Sequence, residues 1–155
     1  MKNFSLEFKT IWANFDPNRH MRHTAYSDYA AEVRVRFFQQ HQLRMDDFAH
    51  YNIGPVIFEE QTVYLKEINI GENIKVDMEL LAASKNFERW EFIHHIYNEK
   101  NELSAKVRVK GAWIDLKKRK LTNLPSDIVK QLHQIPKSLD FKEITLKSKN
   151  NQPNE

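Results

Sequence analysis

Apolar and polar side chains alternate from the start of the chain: Phe4, Leu6 and Phe8, then Ile11, Ala13 and Phe15 in the opposite phase. A period of two marks a strand, so one strand is expected over residues 4–15 with a phase change near Thr10. Asp16-Pro17-Asn18 ends it with turn chemistry. The period then changes. Tyr26, Tyr29/Ala30, Val33 and Phe37 recur at helical spacing to about Gln40. Thr24 is the expected N-cap, and Asp28 in the first turn favours the helix dipole. Arg34, Arg36, Gln39 and Gln40 are assigned to much of the wet face. Residues 41–54 read as irregular and end at Gly54-Pro55.

Beyond that point strand patterns return: Val56–Leu65, Ile74–Ala82, Phe87–Tyr97 and Ser104–Leu116. Short turns separate them, which suits antiparallel neighbours because parallel strands need long crossovers. Pro125 opens a short helical segment to about His133. The order is strand, helix, then four antiparallel strands. One long helix must therefore cover one face of one sheet, an α+β two-layer arrangement. Residues 1–135 are expected to form the domain and 136–155 a C-terminal extension, with Ser148–Glu155 disordered for want of large apolar side chains. Apolar residues outside the main helical stripe (Ala31, Val35, Phe38) and the open edge of such a sheet point to a homo-oligomer.

Composition narrows the classes. At 155 residues the chain fits one domain that can bury roughly 70% of its unfolded surface. It has no cysteine, which removes disulfides, thiolate zinc sites and a cysteine nucleophile together and fits a reducing, cytoplasmic setting. MKNFSLEFKT lacks a continuous apolar stretch, so no signal peptide is expected, and no run approaches a membrane span. The net charge of +3 comes from 24 basic and 21 acidic residues mixed along the chain, which argues against a nucleic-acid partner. Three glycines cannot build a P-loop or a dinucleotide loop, and no ligand spacing such as H-E-x-x-H occurs, so neither a cofactor nor a metal is expected.

Candidate chemistry concentrates in Asn14–Tyr26. Asp16 sits on a turn, His20 and His23 follow, and a helix begins. A carboxylate beside a helix N-terminus places a base next to backbone N–H groups that hold developing negative charge, which is what hydrolysis of an activated acyl group requires. The competing reading of Asp16 is a simple turn former. Glu59 and Glu60 are adjacent in a strand and point to opposite faces, as do His94 and His95, so neither pair is a dyad. Lys117-Lys118-Arg119-Lys120 is a solvated turn or a contact for phosphates. Trp12, Trp90, Phe92 and Trp113 read as core or interface.

These residues resemble a family. Asp16, then His23 seven positions on and Tyr26 after it, are similar to the D-x-x-G-x-V-x-H/N-x-x-Y signature of hotdog-fold acyl-CoA thioesterases, in the branch related to 4-hydroxybenzoyl-CoA thioesterase. His20-Met21 matches the motif's His-Val, and Gly54-Pro55, Tyr64-Leu65-Lys66-Glu67-Ile68, Gly71-Glu72 and Gly111-Ala112-Trp113-Ile114-Asp115-Leu116 fit the same pattern over about residues 5–127. Arg19 stands where the motif has glycine, and Arg22 where it has asparagine or a small residue. The resemblance implies a hotdog fold, an antiparallel sheet wrapped around one long central helix. It implies a homodimer or homotetramer, an acyl-CoA substrate and no cofactor. Asp16 would be general base or nucleophile, with His23 beside it and the N–H groups near His23–Thr24 as the oxyanion site. His20, Thr24 and Tyr26 would contact substrate, with Gly54, Pro55, Val56 and Glu60 reaching the site from a neighbouring subunit and Lys117, Lys118 and Arg119 meeting coenzyme A phosphates. Two other activities fit such a chain: a hotdog enoyl-CoA hydratase, whose D-x-N-P-x-H motif is only partly matched by Asp16-Pro17-Asn18-Arg19-His20, and a non-catalytic acyl-CoA binding module.

Overall fold

A computed structural model describes residues 3–147, so the expectation for Ser148–Glu155 lies outside the described residues. The sheet contains β1 (Phe4–Lys9), β2 (Ile53–Tyr64), β3 (Asn73–Ser84), β4 (Arg89–Tyr97) and β5 (Leu103–Asp115) in the spatial order β1-β3-β4-β5-β2, all antiparallel. The sheet curls around α1 (Ala25–Gln40), which gives the hotdog arrangement. Alternation explains the packing. Ile74, Val76, Met78 and Leu80 of β3 and Val107 and Val109 of β5 turn one face inward and are fully buried. Ala25, Tyr26, Ala30, Val33 and Phe37 of α1 meet them, and the two alanines let the helix axis come close. Each large apolar side chain so buried contributes about 1.5–3 kcal/mol.

Gly111 serves a close approach. A Cβ there would overlap the carbonyl oxygen of Val56 and the ring of Trp90, so β5 can hold β2 and Trp90 this tightly only without a side chain. The pairing of β2 with β5 shifts register between Ile57 and Glu59, leaving Phe58 as a bulge on the outer strand.

Several expectations require correction. The first strand stops at Lys9. Thr10 Oγ1 donates to the Glu72 carbonyl (2.6 Å) and Asn14 Oδ1 accepts from Ile11 N–H (3.1 Å), which winds Trp12–Asn14 into a 3₁₀ turn. Thr24 does not cap α1 through its hydroxyl. Its backbone is already helical (φ −76°, ψ −15°), and Oγ1 accepts from the Arg22 guanidinium instead. Arg34 is buried rather than on the wet face, held by His94 on β4. Within the stretch read as irregular, Met45–His50 forms α2, opened by Asp47 Oδ2 accepting from Arg44 N–H (2.7 Å) and anchored by Phe48 stacking on Trp113 (4.8 Å). The fourth chain segment begins its strand at Arg89, because Phe87 occupies the left-handed region (φ 58°) in the preceding turn.

After β5 come β6 (Lys120–Leu121), α3 (Ser126–Leu132, begun by Pro125) and β7 (Lys137–Ile144). β7 pairs parallel with β3 at Leu80 and Ala82–Ser84, the part of that strand β1 does not reach. One side of the sheet is thus completed by β1 and β7 together. On the other side the outer edge of β2 carries no further strand among the described residues.

Candidate active site

Residues 15–22 form a small hairpin. Phe15 bridges Met21, Asp16 N–H donates to the His20 carbonyl (2.9 Å), and Arg19 N–H donates to the Asp16 carbonyl (3.0 Å). The hairpin is stitched to the segment before β3 by Met21 N–H to Ile68 O (2.8 Å) and Ile70 N–H to Arg19 O (2.9 Å). Arg19 has φ 65°, so the position where the resembling motif has glycine does demand the left-handed region. An arginine takes it here, at a cost of roughly 1–3 kcal/mol that the surrounding bonds offset.

The carboxylate of Asp16 is divided in function. Oδ1 accepts from the N–H of Asn18 (2.8 Å) and of His20 (3.2 Å), while no protein donor reaches Oδ2 among the described residues. One oxygen thus builds the turn, as the turn-former reading expects, and the other carries no protein hydrogen bond among the described residues. Asp16, His20, His23 and Tyr26 line a single cavity of about 660 Å³. His20 Nε2 lies 3.2 Å from Glu67 Oε2, and His23 is exposed at the mouth. The Tyr26 phenol is pushed up to about 12, first by burial and then by Tyr64 and the carboxylates of Asp16 and Glu67. It therefore remains protonated at neutral pH. Tyr64 stands edge-on to it (5.1 Å between ring centres), and its hydroxyl donates to the His23 carbonyl (3.1 Å).

Two features of the helix entry matter chemically. No side chain caps the first turn of α1. Among the described residues, the N–H groups of His23 and Thr24 donate to no protein acceptor. They are thus available to an oxygen carrying negative charge, at the positive end of a 16-residue helix. Asp16 also borders a second groove of about 560 Å³ between Trp12, Phe15 and Ile70; Trp12 is 83% exposed rather than core.

The wall includes residues that the sequence reading did not single out as site residues: Tyr64, Lys66, Glu67, Lys100 and Glu102. Tyr64–Glu67 lies in a stretch that carries the resemblance, which was the available signal; Lys100 and Glu102 sit in the β4–β5 turn and offered none. The cavity carries Asp16, Glu67, Glu72 and Glu102 against Lys66 and Lys100, and Lys66 is paired with Glu102. Its own field does not favour phosphate.

Other expected site residues lie elsewhere in the chain. Gly54, Pro55 and Val56 sit at the opposite end of β2 from Tyr64, about 30 Å away at the usual rise of ~3.3 Å per residue. Lys117, Lys118 and Arg119 form the β5–β6 turn at that same end, where Ile53 pairs with Asp115 and Asp115 Oδ1 accepts from the N–H of Lys117 and Lys118 (2.8 Å each). Glu60 lies midway along β2. Within one chain none of these reaches Asp16. Trp90, Phe92 and Trp113 are core. His94 and His95 face opposite ways: His94 is fully buried towards α1, while His95 joins Asp77 and Glu79 in a group whose ligand atoms lie within 4.8 Å of one another, outside the cavity. No helix of the described residues is long and apolar enough to cross a membrane.

Comparison with known proteins agrees with the fold. A hypothetical protein of Staphylococcus aureus, solved in complex with CoA, superposes with a TM-score of 0.79 at 19% identity, over 99% of this chain and 95% of that one. A DHNA-CoA thioesterase from Staphylococcus aureus gives 0.77 at 20% identity, over 86% and 91%. A 1,4-dihydroxy-2-naphthoyl-CoA thioesterase from Synechocystis gives 0.76 at 14% identity, over 86% and 97%. At these identities the likeness establishes the fold. No curated protein sequence matches the chain. The model of the thioesterase-like superfamily matches residues 11–132, a span that runs from the Asp16 hairpin through α1 and strands β2–β6 to α3, and the chain belongs to that superfamily.

Proposed function

We propose that the protein hydrolyses an acyl-CoA thioester to a free carboxylic acid and coenzyme A in the cytoplasm. The observation that carries this reading is the juxtaposition at Asp16: a carboxylate oxygen without a protein donor, beside unused N–H groups at a helix N-terminus, in one cavity. The thioester carbonyl oxygen would accept from the N–H of His23 and Thr24, which face the charge that develops as the carbonyl becomes tetrahedral. Asp16 Oδ2 would then take a proton from water as the water oxygen bonds to the carbonyl carbon, or attack that carbon itself and form an anhydride that water opens. The carbon–sulfur bond breaks and the thiolate leaves. A thiol pKa of about 8–9 makes it a good leaving group, so no strong general acid is required. His20, His23 and Tyr26 border the reacting centre and position the substrate.

The functional unit of this proposal is a homodimer formed through β2, or a homotetramer built of two such dimers. That strand is 12 residues long, ends the sheet and exposes Ile57, Phe58 and Val63. A long apolar edge is a template for another strand. A two-fold axis that pairs β2 with β2 antiparallel lays the Ile53 end of one copy against the Tyr64 end of the other. Gly54, Pro55, Val56 and the basic turn at Lys117–Arg119 of the second copy then fall beside Asp16. This adds cations for phosphate to a cavity in which carboxylates outnumber lysines.

The test is complementation. Asp16→Asn and the triple charge reversal of Lys117, Lys118 and Arg119 to Glu are each expected to hydrolyse an acyl-CoA panel poorly. Mixed after unfolding and refolding together, they should regain activity, because one of the two sites in a heterodimer is intact. Activity of the triple variant equal to wild type would remove the shared site.

A further inference from the structure

A guanidinium that is nine-tenths buried needs a compensating charge, and Arg34 has none in the single chain. It is 9% exposed, and its Nη1 donates to His94 Nε2 (3.0 Å). His94 is a neutral acceptor here. Its Nδ1 donates to the Asp77 carbonyl (2.8 Å), which leaves Nε2 to accept from the arginine. None of the ion pairs among the described residues involves Arg34. Taking such a charge from water without a counter-charge is costly.

Glu60 is the carboxylate placed to answer it. It sits opposite Val109 on β5, and Val109 is fully buried against α1. Residues paired across a ladder point to the same face, so the Glu60 side chain is on the α1 side of β2. His94 pairs with Val107, two positions along the same β5 strand. Arg34 and Glu60 therefore share one face of the sheet, separated by the width of β5. Field direction agrees: the Glu60 charge acts to hold the arginine protonated against the effect of burial. In the single chain Glu60 is exposed and makes no ion pair among the described residues, because β2 is the open edge. It also lies near the middle of β2, close to where a two-fold axis would pass.

We propose that Glu60 closes onto Arg34 as a buried ion pair when a second copy of the chain covers β2, and that this pair locks the centre of the dimer. The proposal rests on the dimer reading above, and it gives Glu60 a role other than substrate contact. It also explains why a charged residue occupies the inner side of the central helix. The arginine is held ready by His94, and the interface supplies the dry surroundings in which its carboxylate partner is strongly bound.

Sedimentation over a dilution series tests it, with wild type, Glu60→Gln, Arg34→Met and the double variant. Glu60 is exposed in the single chain, so its substitution leaves the monomer fold intact even where Arg34→Met does not. The expected result is a rise of ~30-fold or more in the dimer dissociation constant for Glu60→Gln. The same change should have a much smaller effect in the Arg34→Met background, since the two residues then have nothing left to share. A dimeric wild type whose dissociation constant is unmoved by Glu60→Gln overturns this pair and leaves the dimer standing. A wild type that stays monomeric at all concentrations overturns both.

Discussion

Protonating His94 should destabilise this protein in acid, and the structure gives the size of the effect. The ring is fully buried, accepts a hydrogen bond from Arg34 at Nε2 and donates from Nδ1 to the Asp77 carbonyl. A proton on Nε2 would destroy the first bond and set two cations against each other. Burial, then Arg34, lower its pKa from 6.5 to about 3. A folded pKa below the unfolded one means that the unfolded chain binds the extra proton. The stability tied to neutral His94 is present above about pH 6.5 and is lost as the pH falls towards 3. The slope is roughly 1.4 kcal/mol per pH unit, so about 2 kcal/mol is gone by pH 5. That is a large share of the ~5–15 kcal/mol that holds a typical domain. The assay is urea unfolding at half-unit steps between pH 7.5 and 4.5. His94→Gln is the control, since glutamine offers one acceptor and one donor and never charges. Other titrating groups contribute equally to both proteins, so the difference isolates His94. Parallel stability curves for the two would refute the reasoning.

Other outcomes follow from the same contacts. His95 behaves oppositely: Asp77 accepts from its Nδ1 at 3.0 Å and raises its pKa, against a smaller effect of burial. Stability from that pair is full below about pH 6.5 and fades as pH rises through the raised value, so melting temperature should fall from pH 6 to 9 more in wild type than in Asp77→Asn. Gly111→Ala should destabilise by about 1–3 kcal/mol, read by denaturant midpoint, because the new methyl meets Val56 backbone and the Trp90 ring rather than a flexible side-chain tip. An unchanged midpoint would mean that β2 and β5 are less tightly held than described.

What the sequence made legible, and what it did not, divides along physical lines. The strands and α1 follow from periods of two and 3.6 and from turn residues, which are local. The candidate site is legible for the same reason: Asp16, His20, His23 and Tyr26 lie within eleven residues, and one hairpin and the helix entry that follows it bring them to one cavity. Tertiary overrides were not legible. Periodicity placed Arg34 in water because it cannot see His94, sixty residues later, waiting under the helix. Thr10 and Asn14 bend the chain through bonds to Glu72 and Ile11 that no alternation pattern reveals. The parallel pairing of β7 depends on β1 stopping short along β3, a property of two distant segments at once. Lys100 and Glu102 join the cavity only because the β4–β5 turn folds over it.

The central claim is that Asp16 is the reacting carboxylate of a thioester hydrolase. It is tested most directly by measuring thiol release from short, long, branched and aromatic acyl-CoAs with wild type and Asp16→Asn side by side. Asparagine keeps an oxygen to accept from Asn18 and His20, so the hairpin survives while the base and nucleophile are removed. The account predicts turnover of at least one acyl class by wild type and a loss of ~10²-fold or more in the variant, with circular dichroism unchanged. Equal turnover by the two proteins, or none by wild type on any member of the panel, would contradict it.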